Sequence, residues 1–216
     1  MRYFIQLSYN GTDFCGWQIQ PNGPSIQQEV NAALSTLLRQ EVYGVGAGRT
    51  DTGVHAKEMF AHFDVTAALN DADLAFRLNR FLPNTIAVQR VFAVADDAHA
   101  RFSATSRSYQ YFIVQQKDPL MHDWAWFLAP KLDVAAMNSC AKLLLGEHDF
   151  TSFSKSNTQT KTNICNVTQA FWEEQNGLLI FNITANRFLR NMVRAIVGTL
   201  VEVGLNKLDE AAFMQL

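Results

Sequence analysis

Residues 46–55 read Gly-Ala-Gly-Arg-Thr-Asp-Thr-Gly-Val-His, three glycines in eight positions around one Arg and one Asp. Glycines at this density permit a backbone that turns sharply and comes close to a ligand. A single carboxylate on such a loop, two residues from a guanidinium, suits a nucleophile or base that must stay ionised. Asp51 is that carboxylate and Arg49 that cation. Spacing alone leaves a second role open for each. An Asp in a glycine-rich loop commonly caps its own turn, and a loop Arg is commonly a solvated charge. His55 has no second His or Cys at ligand spacing, which points to a structural hydrogen bond and away from a metal.

Two further clusters carry chemistry-bearing side chains. Arg101-Phe102-Ser103-Ala104-Thr105-Ser106-Arg107-Ser108-Tyr109-Gln110-Tyr111-Phe112 puts Tyr109 and Tyr111 on one side of a strand. That side is either a half-buried aromatic face or a platform on which a base stacks, with Arg107 near phosphate. In Asn186-Arg187-Phe188-Leu189-Arg190-Asn191-Met192-Val193-Arg194, a helical rotation of about 100° per residue gathers Arg187, Arg190 and Arg194 on one face. Leu189, Val193, Ile196 and Leu200 then share another. Such a basic stripe is ordinarily solvated, but at a helix start it adds to the anion preference of the N-terminus.

The elements that position these clusters read as two similar halves. Residues 3–9 alternate as a strand. Ser25 caps a helix with Ile26, Val30, Ala33, Leu34, Leu37 and Leu38 on one face. A strand over 58–65, a short helix over 71–80 opened by Asp71, and a strand over 86–94 follow. The second half has a strand over 108–115 and a helix capped by Asp133. Strands over 166–174 and 178–185 are turned at Asn176-Gly177, and a helix runs from Asn186 to Val203. The expectation is an α+β protein of two ferredoxin-like, split βαβ repeats. They lie side by side as one extended mixed sheet, with helices on one face and a central active-site cleft. The halves are expected at 1–100, with the catalytic loop, and 101–216. The second copy should close with a strand after its last helix, whereas Leu208–Leu216 reads as a further helix. A 101–216 half lacking its final strand is therefore expected to leave a sheet edge or apolar helix face uncovered.

Bulk properties narrow the class. The chain has 216 residues, 48% of them hydrophobic, and no apolar run reaches the length of a membrane span. The alternating start, Met1 to Ser8, reads as a strand rather than a signal peptide. Three widely spaced cysteines, Cys15, Cys140 and Cys165, form neither a metal-ligand pair nor a disulfide framework, which fits a reducing cytoplasm. The net charge is −2. It is unevenly spread: residues 1–100 sum to −3 and residues 101–194 to +3. A local basic surface can hold phosphate on a protein that is acidic overall.

Gly-Arg-Thr-Asp-Thr-Gly-Val-His-Ala resembles the active-site motif of the tRNA pseudouridine synthase A family. Three further stretches are similar to that family in the same order: Tyr9 to Gln18, the Phe-Ser-Ala-x-x-Arg-x-Tyr-x-Tyr run from Phe102, and Phe188 to Arg194. The resemblance implies a catalytic role for Asp51, an active-site tyrosine at Tyr109 and an arginine paired with the catalytic Asp at Arg194. It also implies a phosphate contact from Arg49, to which the placement of Arg107, Arg187 and Arg190 is expected to add further RNA contacts. The implied reaction isomerises uridines 38, 39 and 40 of the tRNA anticodon stem-loop after the base is flipped out. It implies no cofactor and no metal, tRNA as partner, and a homodimer.

Two rivals stand beside this reading. A non-catalytic RNA-binding protein could use a ferredoxin-like aromatic sheet, but the glycine–aromatic RNA-binding signature is absent from the chain and a binding module has no need of an ionised Asp in a glycine loop. A glycoside or nucleoside hydrolase generally needs two carboxylates, and the nearest other one is Glu58.

Overall fold

The computed structural model describes residues 1–155 and 160–216. The chain divides into two compact units, Met1–Ala104 and Thr105–Leu216. No helix among the described residues is long and apolar enough to cross a membrane.

The first unit runs β1 (Arg2–Tyr9), α1 (Ile26–Leu38), β2 (Val45–Gly46), β3 (Ala56–Asp64), α2 (Asp71–Phe81), β4 (Ile86–Val94). Its sheet has the order β2-β3-β1-β4 with every pairing antiparallel. This is the split βαβ arrangement, with β3 inserted between β1 and β2. Strict alternation in β1 buries Tyr3, Ile5, Leu7 and Tyr9. These residues share one core with Ile26, Val30, Ala33 and Leu34 of α1 and Leu74 and Leu78 of α2. Ser25 caps α1 through its hydroxyl, which accepts from the Gln28 N–H at 3.3 Å. The α2 cap is Asn70, one residue before the expected Asp71, because its side chain accepts from the Asp73 N–H.

The second unit runs β5 (Arg107–Val114), β6 (Trp126–Phe127), α3 (Val134–Lys142), β7 (Gly146–Asp149), β8 (Ile164–Gln175), β9 (Leu178–Ala185), α4 (Met192–Gly204), α5 (Glu210–Phe213). The sheet order is β6-β5-β9-β8-β7. Here β5, β9 and β8 repeat the order of β1, β3 and β2. Beside β5, where β4 lies against β1, only the two-residue β6 pairs, at Ile113 and Val114. Among the described residues no strand follows α4. The β8–β9 hairpin turns at Asn176 and Gly177 with φ of 52° and 78°, the two positive values a type I′ turn requires. The expected α+β class and the hairpin are thus present. The short β2, β6 and β7 were not anticipated.

One expectation about local structure fails. Helix α4 starts at Met192, not Asn186. Asn186 is held to β8, donating its N–H to the Asn166 carbonyl at 3.0 Å and accepting the Asn166 N–H on Oδ1 at 2.9 Å. The Arg190 carbonyl accepts from the Lys155 N–H, and Asn191 sits at φ 65°. These contacts fix 186–191 as an irregular connection that ends in a turn at Arg190-Asn191, so Arg187 and Arg190 do not share a helical face with Arg194.

A buried polar group links β3 to the segment after β4. His62 is 4% exposed, and its Nδ1 accepts the Ala100 N–H at 3.1 Å. Its ring lies 4.4 Å from that of His99. Burial lowers its pKa, helped by the charge of Arg2 and the proximity of His99, and opposed by Asp64. A group depressed in the folded state binds more protons when unfolded, so its contribution is complete above the ordinary histidine value, about 6.5, and declines as pH falls below it. The Asp64 carboxyl, held down chiefly by its hydrogen bond from Arg2, loses its contribution only at lower pH, below about 3.9. Urea unfolding is expected to show lower stability at pH 5.5 than at pH 7.5. His62→Asn, which keeps an acceptor near the Nδ1 position but does not titrate, is expected to flatten that difference. An unchanged pH slope in the variant removes His62 as its source.

Candidate active site

The loop from Ala47 to His55 joins β2 to β3 and carries Arg49 and Asp51. Its tip is a turn from Asp51 to Val54, closed by the Val54 N–H donating to the Asp51 carbonyl at 3.2 Å. Gly53 takes φ 76° at the third position of that turn, as a type II turn requires. Nothing lies within 4 Å of where its Cβ would be, so Gly53 serves conformation and not space. Asp51 is half-buried, while Arg49 and Thr52 are exposed.

The loop lies against residues 9–17. The Trp17 N–H donates to Thr50 Oγ1 at 3.0 Å, and the Tyr9 hydroxyl and Thr50 Oγ1 share a hydrogen bond of 3.2 Å. The Gly53 N–H donates to the Phe14 carbonyl at 3.2 Å. His55 Nδ1 accepts the Gly11 N–H at 3.1 Å, the structural role expected of it. Two glycines make this approach possible. A Cβ on Gly11 would overlap the Val54 carbonyl, and one on Gly16, which has φ 88°, would overlap the Thr50 carbonyl. Trp17 is buried against Gly46 and stands 6.3 Å from the Tyr9 ring.

The supporting segment is itself anchored. The first two N–H groups of α1, at Ile26 and Gln27, donate to the Gly16 and Trp17 carbonyls at 3.2 and 2.9 Å. Donors that a helix N-terminus leaves unpaired are thereby satisfied. The buried Gln27 amide spans to both sides, accepting from the Ile19 N–H and donating to the Gly44 carbonyl.

The remaining candidate residues belong to the second unit. Arg107 opens β5 and donates to the Asn186 carbonyl at 2.9 Å. Tyr109 and Tyr111 do share one side of β5. Both are partly buried against that unit's core, with the Tyr109 ring edge-on to Phe188 at 5.0 Å. Burial raises the Tyr111 pKa, and the charge of Arg194 opposes it. Arg194 is exposed in the first turn of α4. Arg190 is exposed and Arg187 half-buried in the connection before it. The Arg187 charge opposes the burial that raises the Cys165 thiol.

Residues Tyr9, Gly11, Gly16 and Thr50 were not singled out as functional from sequence. The paired glycines in Tyr9–Gln18 were the signal available, but the stretch could be read only as one typical of a family. Phe188, the support of Tyr109, was visible in its motif without a partner assigned.

With this geometry the comparisons are specific. A family model described as tRNA pseudouridine synthase matches residues 140–216. The tRNA pseudouridine synthase A of Parabacteroides distasonis is 53% identical over 213 residues, covering 98% of this chain and 84% of the relative. That of Porphyromonas gingivalis is 53% identical over 216 residues, covering 98% and 86%. That of Chlorobaculum tepidum is 39% identical over 213 residues, again covering 98% and 86%. The chain belongs to the tRNA pseudouridine synthase A family.

The close backbone approach has a direct consequence. Gly16→Ala imposes both a positive φ and an overlap, and is expected to destabilise the protein by at least ~2 kcal/mol. Gly48→Ala, in the same loop but with nothing within 4 Å of its Cβ, is expected to stay within ~0.5 kcal/mol of wild type. Denaturant midpoints decide it, and equal effects at the two positions would refute the packing account.

Proposed function

We propose that this chain is a tRNA pseudouridine synthase that isomerises uridines 38, 39 and 40 of the anticodon stem-loop, with Asp51 as the catalytic carboxylate. The observation that carries the reading is the Asp51 turn, a family-like sequence held by residues 9–17 so that a half-buried carboxylate sits on a fixed backbone. Relatives named for this activity at 53% identity support the reaction class.

In the reaction the N1–C1′ bond breaks, the uracil turns and C5 bonds to C1′. C5 loses its proton and N1 gains one, so substrate and product have the same composition and no redox partner or co-substrate is consumed. Asp51 serves as the nucleophile at C1′ or C6, or as the base at C2′. The target base is stacked in a stem and must leave it, at a cost of a few kcal/mol. Phosphate contacts from Arg49, Arg107, Arg187 and Arg190 offset that cost. Tyr109, its ring braced by Phe188, stacks on the uracil. Arg194 is the arginine that pairs with Asp51 in this reading. The support for both is the likeness of their motifs to the family. A cytoplasmic homodimer completes the proposal.

Release of tritium from [5-³H]uridine tRNA tests the reaction, because only a synthase displaces the C5 hydrogen. Asp51→Asn is expected to abolish release while tRNA binding stays near wild type. Activity within about tenfold of wild type, a barrier change of only ~1.4 kcal/mol, would exclude Asp51 as the catalytic group.

Binding should also weaken steeply with salt although the sequence pI is 6.2. Each neutralised phosphate adds roughly 0.7 to 0.9 to the slope of log K against log salt. A slope near zero would remove the four arginines as phosphate ligands.

A further inference from the structure

We infer that Thr50 and His55 are positioning residues for the reaction. Together they clamp the Asp51 turn onto a backbone template made by residues 9–17. The inference rests on the assignment of Asp51 as the catalytic carboxylate.

The argument begins with what the template offers. Residues 11, 14 and 17 hydrogen-bond to the loop through main-chain groups: the Gly11 N–H, the Phe14 carbonyl and the Trp17 N–H. The template is fixed through its own backbone, because the first N–H groups of α1 hold the carbonyls of residues 16 and 17. Recognition must therefore come from the loop. Two of its side chains provide it, one on each side of Asp51. Thr50 Oγ1 lies immediately before the carboxylate and meets both the Trp17 N–H and the Tyr9 hydroxyl. His55 Nδ1 lies four residues after and takes the Gly11 N–H. The Gly53 N–H adds a third tie between them.

Ties on both sides restrict translation and rotation of the turn, which a single tie would not. Loops are mobile by default, and a catalytic group must be held within roughly half an ångström of its productive position. Misplacement of about 1 Å can cost on the order of a hundredfold in rate. Neither side chain need touch the substrate to matter in this way.

The chemistry of each tie specifies its test. Thr50→Val keeps the shape and loses the oxygen, whereas Thr50→Ser keeps the oxygen. His55→Ala loses the acceptor, whereas His55→Asn restores one near the Nδ1 position. Tritium release is measured under saturating and limiting tRNA, below the thermal midpoint of every variant. Thr50→Val and His55→Ala are expected to lower kcat at least tenfold with KM within twofold, and Thr50→Ser and His55→Asn to recover to within about threefold of wild type. If Thr50→Val fails to fold, Tyr9→Phe, which removes one of the two partners of Thr50 Oγ1, carries the same test. Wild-type kcat in Thr50→Val and His55→Ala overturns the clamp. So does a loss shared equally between kcat and KM, or one that the conservative variants do not restore. An active Asp51→Asn variant instead overturns the assignment of Asp51, so the two failures are distinguishable.

Discussion

The first unit depends on one approach of main chain to main chain, that of residues 9–17 against the loop from Ala47 to His55. Two missing Cβ atoms allow it, at Gly11 and Gly16. Once the backbones are that close, the N–H groups of Gly11 and Trp17 and the carbonyl of Phe14 are shielded from water and need partners. The loop supplies them from His55, Thr50 and Gly53. The same segment answers the open donors at the start of α1. Glycine placement, helix capping and the conformation of the Asp51 turn are therefore one constraint met in three places.

This arrangement explains what could be read from the sequence and what could not. Asp51 stood out because its type and its glycine neighbours are unusual in themselves. The strand β1 and the helices α1 and α3 were legible because burial follows their periods of 2 and 3.6, β3 and β4 because they keep the period of 2 with one break each, at His62 and at the bulge beside Arg90, and Asn176-Gly177 because a type I′ turn demands positive φ. The cradle of the loop was not legible. Its contacts are mostly main-chain groups, which every residue carries, so Phe14 and Trp17 look like core aromatics and nothing more. Thr50 carries no signal of its own between Arg49 and Asp51. The two-residue β2 and β6 are too short to show any period at all.

The start of α4 teaches the opposite lesson, that a real period can be overridden. Arg187, Arg190 and Arg194 have helical spacing, and Leu189 fits the apolar face. Yet the segment before Met192 is not helical, because Asn186 pairs through its N–H and its side chain with Asn166, and Asn191 adopts φ 65° in the turn that precedes α4. Asparagine competes with helix geometry by hydrogen-bonding locally and by tolerating the left-handed region. The two asparagines bracket the segment, and that bracket was the available signal. The consequence for function is that three arginines read as one stripe become two in an irregular connection and a separate helical cation.

In the proposed reaction the uracil leaves its sugar and is recaptured by it through a different atom, without any group being added or lost. The enzyme must then serve two bond changes at one carbon with a fragment that is briefly unattached. A carboxylate on a compliant loop would follow the fragment or the sugar as either moved, and its attraction would be spent equally on every arrangement. Only interactions stronger in the transition state than before it speed a reaction. A carboxylate whose flanks are tied to main chain at Thr50 and His55 keeps its place while the base turns, so its field favours the geometries in which bonds to C1′ change. On this argument the glycines of residues 9–17 contribute to catalysis without approaching the substrate, by letting one stretch of backbone hold another still.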